Sequence, residues 1–425
     1  EARALPDTLL PSPTESDASL DEEDVPQEAA INMDTPAELG PCSELVALIS
    51  ASRIAGPIPL NIEFDASTSC GPNPIASFTW SFDEEPESVT GESVTRTFLK
   101  SGLQSVTLSV ADTSGQVQSA SMEIELSPGL CPAVVDPIIT GALPFSELEG
   151  ASGLAASRVN PGLLWTIGDS GSEPSLYASH INGDSMGVFP LQGAENIDWE
   201  DIAIGHDPET GEARIFVWDG GDNNASRENV QVLMVSEVLV DPAPSDALAW
   251  SPLTLSYPEG KAYNSDSLLF DPQSGSLIVI AMDIETKVSH VFEKKAPHLP
   301  ESTTTLNWLI ELTFGEAPLT GANYPTGAAF SPLGDRIIIR SDDGAFLWLR
   351  DGSQSLVETF QSSPCPGPFP IEDQGETVTF DAEGKGYYSV VDASEGEIRF
   401  TAFKEVELCT PPEARILVSP EEPYH

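Results

Sequence analysis

Apolar and polar residues alternate along the chain from Cys42 to residue 127, in six short segments separated by turn-forming residues. A period of two places successive side chains on opposite faces of a strand, so that one face can pack into a core. The pattern predicts a small antiparallel β-sandwich. Its predicted strands are Val46–Ser50, Leu60–Asp65, Ser77–Phe82, Ser93–Phe98, Ser105–Val110 and Ser119–Leu126.

A second pattern returns five times between residues 152 and 403. In each copy a small or acidic residue opens an apolar strand, a turn follows, and a second apolar strand comes next. The copies begin at Ser152, Trp199, Ser265, Thr326 and Gln374. Recurrence every ~45–65 residues is typical of a β-propeller with one four-stranded blade per copy. The predicted fold class is therefore all-β, an immunoglobulin-like sandwich plus a five-bladed propeller, or a six-bladed one if Asn223–Lys261 holds another blade.

The last copy lacks an obvious outer strand, and the strand-like segment Pro137–Phe145 precedes the first copy. We expect this segment to complete the last blade, because closing the ring removes exposed sheet edges. The predicted organisation is a tail over 1–41, the sandwich over 42–127, a linker over 128–137, the propeller over 138–410 and a C-terminal tail over 411–425.

Residues 1–41 are rich in Pro, Ser, Asp and Glu and have no apolar period. Such a composition cannot bury enough surface to fold alone. Two interpretations remain open: a flexible linker to a surface anchor, or an arm that orders against another subunit.

The chain carries 68 acidic residues against 18 Lys and Arg, a net charge of -50. This balance excludes nucleic acid and anionic membrane as natural partners, because binding phosphate requires clustered cations. A large negative charge is typical of proteins that bind calcium or work in a salty environment, and it also simply keeps a protein soluble. We find no apolar run of the ~18 residues that a membrane-spanning segment needs. The first residue is Glu1, so we expect either a removed secretion signal or a chain shortened at its start, and we favour a secreted or cell-surface protein.

Five cysteines are spread along the chain without a CxxC motif, which favours disulfides in an oxidising compartment. Adjacent antiparallel strands bring Cys42 and Cys70 together, and we predict that they are bonded. If the ring closes as expected, Cys131 and Cys409 leave the same end of the last blade, and we predict a second bond between them. Cys365 would then be unpaired or bonded between molecules.

The acids that open the innermost strands are the sharpest candidate site: Glu200, Asp201, Asp266 and Glu376. Equivalent positions on successive blades converge on the mouth of a propeller channel, where clustered carboxylates favour a hard cation such as Ca²⁺. Asp219, Asp222 and Asn224 form a further oxygen-rich loop that could hold Ca²⁺. The alternatives are acids that only cap turns and bind backbone N–H groups, or an acid–base catalytic pair.

The sandwich segment resembles the PKD (polycystic-kidney-disease-type) domain. The residues that carry this resemblance are Phe64–Ser67, Phe78–Asp83, Thr97–Phe98, Gly102 and Val106–Asp112. Where that family usually continues Phe-Gly-Asp-Gly, this chain has Glu84, Glu85 and Pro86, which implies a remodelled turn. The resemblance implies an extracellular spacer or protein–protein module.

Residues 150–403 resemble a set of bacterial propeller proteins of unassigned function, loosely similar to the esterase-like phytase group. The matching residues are Gly168–Gly171, Leu176–Tyr177, Asn196–Ala203, Gly221–Asn224, Arg227, Tyr257–Pro258, Gln374–Glu376 and Ser394–Gly396. This chain lacks the acids that the group tends to carry within Asn264–Leu268 and at Ala329, which weakens the expectation of an intact active site.

Two functions follow. The first is a non-catalytic secreted or surface protein for adhesion or structure, such as a self-assembling filament or surface-layer subunit, with Ca²⁺ in its acidic loops. Its partner would be another copy or another surface protein, bound through residues 1–41. The second is a Ca²⁺-dependent secreted phosphoesterase or esterase. Phosphate substrates are usually bound by several Lys or Arg residues. The scarcity of Lys and Arg in this chain counts against the phosphoesterase.

Overall fold

The computed structural model describes residues 42–83, 87–148, 150–241, 243–286, 288–300, 302–314, 317–318, 325–341, 344–365, 376–390 and 396–404. Strands dominate these residues, which confirms the predicted all-β class. No helix among them is both long enough and apolar enough to cross a membrane.

The first domain contains eight strands in two facing sheets. The strands are β1 (Ser50–Ala51), β2 (Ala55–Pro57), β3 (Leu60–Asp65), β4 (Ile75–Phe82), β5 (Val89–Thr90), β6 (Ser93–Phe98), β7 (Gly102–Asp112) and β8 (Val117–Ser127). One sheet has the order β1-β3-β6 and the other β2-β8-β7-β4-β5. The predicted sandwich is confirmed, except that the strand expected at Val46–Ser50 is reduced to β1 and a single bridge between Val46 and Cys70.

The alternating pattern produces the core of this sandwich. Along β3 the side chains of Leu60, Ile62 and Phe64 are buried while the residues between them are not. Trp80 of the facing sheet is also buried, and its indole Nε1 donates to the Gly91 carbonyl at 2.8 Å. The bridge at Val46 brings the start of the sandwich next to Cys70. The predicted Cys42–Cys70 disulfide is present, with Cα atoms 5.8 Å apart.

The remainder of the described chain forms five larger sheets. Its first strands are β9 (Ile138–Ala142), β10 (Ala151–Ala156), β11 (Leu163–Gly168), β12 (Ser175–His180), β13 (Ser185–Pro190), β14 (Trp199–His206), β15 (Ala213–Asp219), β16 (Val230–Ser236) and β17 (Trp250–Ser256). After a 3₁₀ turn at Pro258–Gly260 come β18 (Asn264–Phe270), β19 (Leu277–Asp283), β20 (Val288–Lys294), β21 (Ser302–Thr305), β22 (Asn307–Glu311), β23 (Thr313–Phe314) and β24 (Ala317–Pro318). The last elements are β25 (Gly327–Phe330), β26 (Arg336–Ser341), β27 (Gly344–Leu349), α1 (Leu356–Gln361), β28 (Thr377–Phe380), β29 (Gly386–Val390) and β30 (Glu397–Ala402).

Each sheet begins with the first strand of one sequence copy and continues antiparallel, except that β21 pairs in parallel with β17 at the edge of the second sheet. The orders are β10-β11-β12-β13, β14-β15-β16-β17-β21, β18-β19-β20-β22, β25-β26-β27 and β28-β29-β30-β9. Glu397 pairs with Ala142, so the segment before the first copy does supply the outer strand of the last sheet, as predicted. The stretch Asn223–Lys261, considered for a sixth blade, contributes β16 and β17 to the second sheet instead.

A common turn links the first two strands of each sheet. In three sheets an Asp side chain, that of Asp207, Asp271 or Asp381, accepts backbone N–H groups two or more residues ahead. A glycine with φ near +70° ends the turn in all five sheets, at Gly162, Gly211, Gly275, Gly334 and Gly384. Because L side chains rarely adopt this conformation, the repeated glycine marks the start of each hairpin's second strand.

The first strands of the five sheets adjoin one another in cyclic order. β10 neighbours β14, β14 neighbours β18, β18 neighbours β25, β25 neighbours β28, and β28 neighbours β10. A separate apolar core lies between each sheet and the next, and the last one, around Leu154, Tyr177 and Val390, joins the fifth sheet to the first. The predicted closed propeller itself stays a prediction.

The predicted Cys131–Cys409 disulfide is wrong, because Cys131 is bonded to Cys365, with Cα atoms 5.5 Å apart. Cys365 is therefore not the odd cysteine. The helix α1 turns the chain back, and the Cys365 N–H donates to the Leu347 carbonyl at 2.7 Å. This places Cys365 against β27, beside the joint between the two domains. Cys409 lies outside the described residues.

The disulfide pattern predicts one titratable thiol per chain. Of five cysteines, four are consumed in two intrachain bonds, which leaves Cys409. We expect one alkylated cysteine when the denatured, unreduced protein is treated with iodoacetamide, and five after reduction. Mass spectrometry of the intact chain measures both numbers. Three thiols before reduction would contradict one of the two bonds.

Candidate metal centre

Three carboxylates meet at one end of the first two sheets. Asp169 follows β11, whereas Asp198 and Glu200 lie at the start of β14. Each offers a carboxylate oxygen, and these oxygens all lie within 4.8 Å of one another. The spacing fits ligands around a single divalent cation, because oxygens that share an ion at ~2.4 Å lie only a few ångströms apart.

The side chain of Asn196 holds the two sides of this site together. Its Nδ2 donates to the carbonyls of Gly168, at 3.1 Å, and Asp169, at 2.9 Å. Its Oδ1 accepts the Trp199 N–H at 3.0 Å. One amide thus joins the end of β11 to the start of β14, and it thereby positions Asp169 opposite Asp198 and Glu200.

Gly221 leaves room for the carboxylates. A Cβ atom at this position would lie 2.4 Å from both Asp198 Oδ2 and Glu200 Oε1, closer than non-bonded atoms approach. The Gly221 N–H also donates to the Asp198 carbonyl at 3.2 Å. The absence of a side chain at this position is therefore a condition for the acidic cluster.

The electrostatics of the cluster are unfavourable without a cation. Burial raises the pKa of Glu200 well above its ordinary value, and the charges of Asp266, Asp169, Asp198 and Glu376 raise it further. The pKa of Asp198 is raised in the same way, first by burial and then by Asp169. Ser152 Oγ donates to Glu200 Oε2 at 3.3 Å. A bound cation would stabilise the ionised carboxylates that the protein alone disfavours.

Two other predicted ligands act on Glu200 from a distance. Asp266 and Glu376 both raise the pKa of Glu200 by their charge, so these residues from three different sheets do face a common region. Neither belongs to the close group of three carboxylates. We assign them to the electrostatic surroundings of the site.

Asp201 has a different environment. It is buried on β14, and its carboxylate accepts the N–H groups of Ile202 and Leu268, both at 2.8 Å. Burial raises its pKa, while those bonds and one from the Ala328 N–H oppose the rise. Asp201 thus ties β14 to β18 and β25, which is the backbone-binding role considered as an alternative.

The predicted loop ligands do not join the cluster either. Asp219 forms an ion pair with Arg227 at 2.9 Å. Asp222 accepts the N–H groups of Ser226 and Arg227, at 2.6 and 2.7 Å, and so closes a turn. Asn224 is exposed. Asp169 and Asp198, in contrast, were not predicted as ligands, because acids are so abundant here that residue type alone does not select them.

Two other inner strands carry a glycine near their start and no acid there, and this glycine has a structural reason. A Cβ on Gly153 would lie 2.8 Å from the Ile202 nitrogen, and one on Gly327 would lie 2.4 Å from the Glu376 carbonyl oxygen. Glycine at these two positions lets adjacent first strands approach closely, and any side chain there would push them apart.

Removing the Asn196 amide is expected to weaken the cation site. Partners that orient metal ligands typically contribute 10–100-fold to affinity, so Asn196→Ala should lower divalent-cation affinity by about tenfold. Asn182→Ala is the control, since that amide donates only within its own turn, to Asp184 at 2.8 Å. Calorimetric titration measures both, and equal affinities in the two variants would contradict the positioning role.

Comparison with known proteins identifies the first domain. A family model for the PKD domain matches residues 55–126, and these residues form a PKD domain. The PKD1 domain of the Vibrio cholerae metalloprotease PrtV is similar at 25% identity, covering 20% of this chain and 98% of that one, with a TM-score of 0.17. No curated protein matches the chain. PKD domains are typical of extracellular or surface proteins, and the two disulfides fit that location.

Proposed function

We propose that this protein is a non-catalytic extracellular or cell-surface binding protein, in which the PKD domain is a spacer and a five-bladed β-propeller is the head. A Ca²⁺ ion in the mouth of the propeller would order the binding surface. The observation that carries this proposal is the group of Asp169, Asp198 and Glu200, with carboxylate oxygens within 4.8 Å of one another.

The cyclic order of the first strands supports the propeller. Five sheets in cyclic order, five intervening cores and an outer strand taken from before the first copy are what a ring closed between its two ends requires. Electron microscopy of the purified protein tests this part. Five-fold pseudosymmetry of the head is the expected result, and an open or two-layered arrangement would overturn it.

Calcium is the preferred cation on chemical grounds. It takes 6–8 oxygen ligands in flexible geometry, whereas Mg²⁺ demands a tight octahedron and retains its water. Three carboxylates with water completing the shell suit the former. Calorimetric titration of chelator-treated protein should show one Ca²⁺ site that Mg²⁺ fills more weakly, and the absence of a saturable site would exclude the cation.

For a role in adhesion, the proposed partner is another copy of the same chain, bound through residues 1–41. Light scattering of the full chain should detect assemblies larger than a monomer, and a variant without residues 1–41 should lose them. Equal assembly of both chains would exclude the segment as the contact.

One observation favours hydrolysis as a second candidate. The carboxylates of Asp169, Asp198 and Glu200 lie close enough to hold one Ca²⁺, and a cation held in this way could polarise a phosphoryl or carbonyl oxygen of a substrate. Screening phosphomonoesters, phytate and simple esters with and without chelator tests this. Ca²⁺-dependent turnover that Glu200→Gln abolishes would establish it.

A further inference from the structure

The first strands of three adjoining sheets, β10, β14 and β18, carry a β-bulge near their start. In β14 the pairing register shifts between Trp199 and Asp201, which leaves Glu200 as the extra residue. A bulge disrupts the ladder of hydrogen bonds locally and changes the direction of the side chain. The direction of Glu200 toward Asp169 and Asp198 therefore depends on a stretch of backbone that its own sheet does not fully hold.

The carboxylate of Asp201 anchors the chain directly after this bulge. Asp201 is 2% exposed, and its two oxygens accept the N–H groups of Ile202 and Leu268, both at 2.8 Å. The Ala328 N–H donates to it as well. These donors lie on β14, β18 and β25, and β18 adjoins both of the other two strands. Three N–H groups from three sheets thus converge on one carboxylate.

The N–H groups of Ile202, Leu268 and Ala328, which we call the amide cradle, form a binding site for a carboxylate. Each of their strands is the first of its sheet, so one edge pairs with the second strand and the other faces the neighbouring first strands. Buried N–H groups along such an edge need an acceptor, and N–H groups that point into one concave site bind anions. A planar carboxylate offers them two accepting oxygens.

We propose that Asp201 is a positioning residue for the cation site, because its carboxylate fills the amide cradle and thereby holds the bulged backbone that directs Glu200 toward Asp169 and Asp198. Glu200 is covalently adjacent to Asp201, so anchoring the second residue restricts the backbone angles from which the first side chain departs. The positioning role rests on the proposed Ca²⁺ site, whereas the affinity of the amide cradle for a carboxylate does not.

Added formate tests the amide cradle in the variant Asp201→Ala. The substitution removes one carboxylate, and formate is a free carboxylate of matching size. Without formate we expect Tm to fall by about 3–6 °C, because buried N–H groups lose their acceptor. Formate should restore Tm in this variant more than potassium chloride of equal ionic strength does. The chloride comparison is needed because any salt screens the repulsion within a chain of net charge -50.

Calorimetric titration with Ca²⁺ tests the positioning of Glu200. We expect Asp201→Ala to lower the Ca²⁺ affinity at least tenfold, the usual effect of losing a group that orients a metal ligand. Formate should restore most of it, relative to the wild-type protein in the same formate concentration. Asp65→Ala is the control, because the Asp65 carboxylate accepts the N–H and hydroxyl of Ser67 within one turn of the PKD domain. It should keep the wild-type affinity and respond equally to formate and chloride.

Two results would overturn the proposal. Formate that stabilises Asp201→Ala no more than chloride does would exclude the amide cradle as a carboxylate site. A Ca²⁺ affinity that Asp201→Ala leaves unchanged would exclude the positioning role. A wild-type protein without a saturable Ca²⁺ site would instead remove the proposed function and the positioning role together, and the response of Tm to formate would still decide the cradle.

A second variant covers the case in which Asp201→Ala does not fold with or without formate. Asp201→Asn keeps the size of the side chain but replaces one accepting oxygen by an NH₂ group, which faces the donors of the amide cradle. We expect its Ca²⁺ affinity to be lowered about tenfold, with no specific response to formate because the site stays filled. A wild-type affinity in Asp201→Asn would contradict the positioning role.

Discussion

Glutamine in place of Glu200 is expected to abolish stabilisation by calcium. At a free Ca²⁺ concentration about a hundredfold above its dissociation constant, binding to the folded state alone contributes about 2.7 kcal/mol. With an unfolding entropy of about 2 cal/mol/K per residue, that corresponds to a rise in Tm of about 3–5 °C. Glu200→Gln keeps the shape of the side chain but removes one of three close carboxylates. The melting temperature with and without Ca²⁺ measures the loss.

The stability difference between the wild-type protein and Glu200→Gln should depend on pH, in a direction that the raised pKa of Glu200 determines. Because the folded-state pKa of Glu200 lies above its ordinary value of 4.5, its contribution to stability is fully present below that value. It is lost as pH rises through the folded pKa. In chelator, the wild-type protein should therefore lose stability between pH 5 and pH 8 relative to Glu200→Gln, and added Ca²⁺ should help it most at the higher pH.

Glu285→Gln is the matched control, since Glu285 is exposed and outside the cluster. It should retain the full calcium effect and the wild-type pH dependence. A calcium shift in Glu200→Gln as large as in the control would remove Glu200 from the site.

Loss of the Asp271 charge is expected to be the most destabilising of the conservative changes. Asp271 and Arg350 are both buried and form an ion pair of 2.7 Å that joins the third sheet to the fourth. The Arg350 guanidinium also lies over the Phe330 ring, 5.8 Å from its centre. Removing one partner of a buried pair leaves an uncompensated charge, which typically costs about 3–5 kcal/mol. Asp271→Asn should lower the free energy of unfolding in urea by about this much.

The control variant Asp283→Asn distinguishes the contribution of the ion pair to stability from that of the turn. Asp283 accepts the N–H groups of Glu285 and Thr286 at 2.9 Å, much as Asp271 accepts that of Gln273 at 3.0 Å, but it has no arginine partner among the ion pairs of the described residues. It should cost well under ~1 kcal/mol. The double variant Asp271→Asn with Arg350→Met should recover part of the loss. Equal costs for Asp271→Asn and Asp283→Asn would refute a contribution from the pair.

Local periodicity was sufficient for the elements themselves. The alternation along Leu60–Asp65 predicts β3, and a Gly in every copy, joined by an Asp in three of them, forms the turn between the first two strands. These features depend on residues close in the chain, so the sequence carries them directly. Even the pairing of Pro137–Phe145 with the last copy could be predicted, because the last copy lacked an obvious outer strand.

Contacts between distant residues could not be predicted in this way. Cys131 has four candidate partners in the sequence, and only the reversal of the chain through α1 selects Cys365. Glu200 and Asp201 are adjacent acids, yet alternation along β14 directs one toward the carboxylate cluster and the other into the backbone of β18. Neither distinction is visible in composition or spacing.

The sequence by itself determined the all-β class, the PKD domain, the five repeated units and the acidic character of the protein, because each is a property of residue type and local period. Only the tertiary structure decided which acids meet. The Asn196 bridge and the space left by Gly221 bring Asp169 to Asp198 and Glu200 across 31 residues of chain, counted from Asp169 to Glu200. Such proximity arises from the packing of one sheet against the next, which no local pattern encodes.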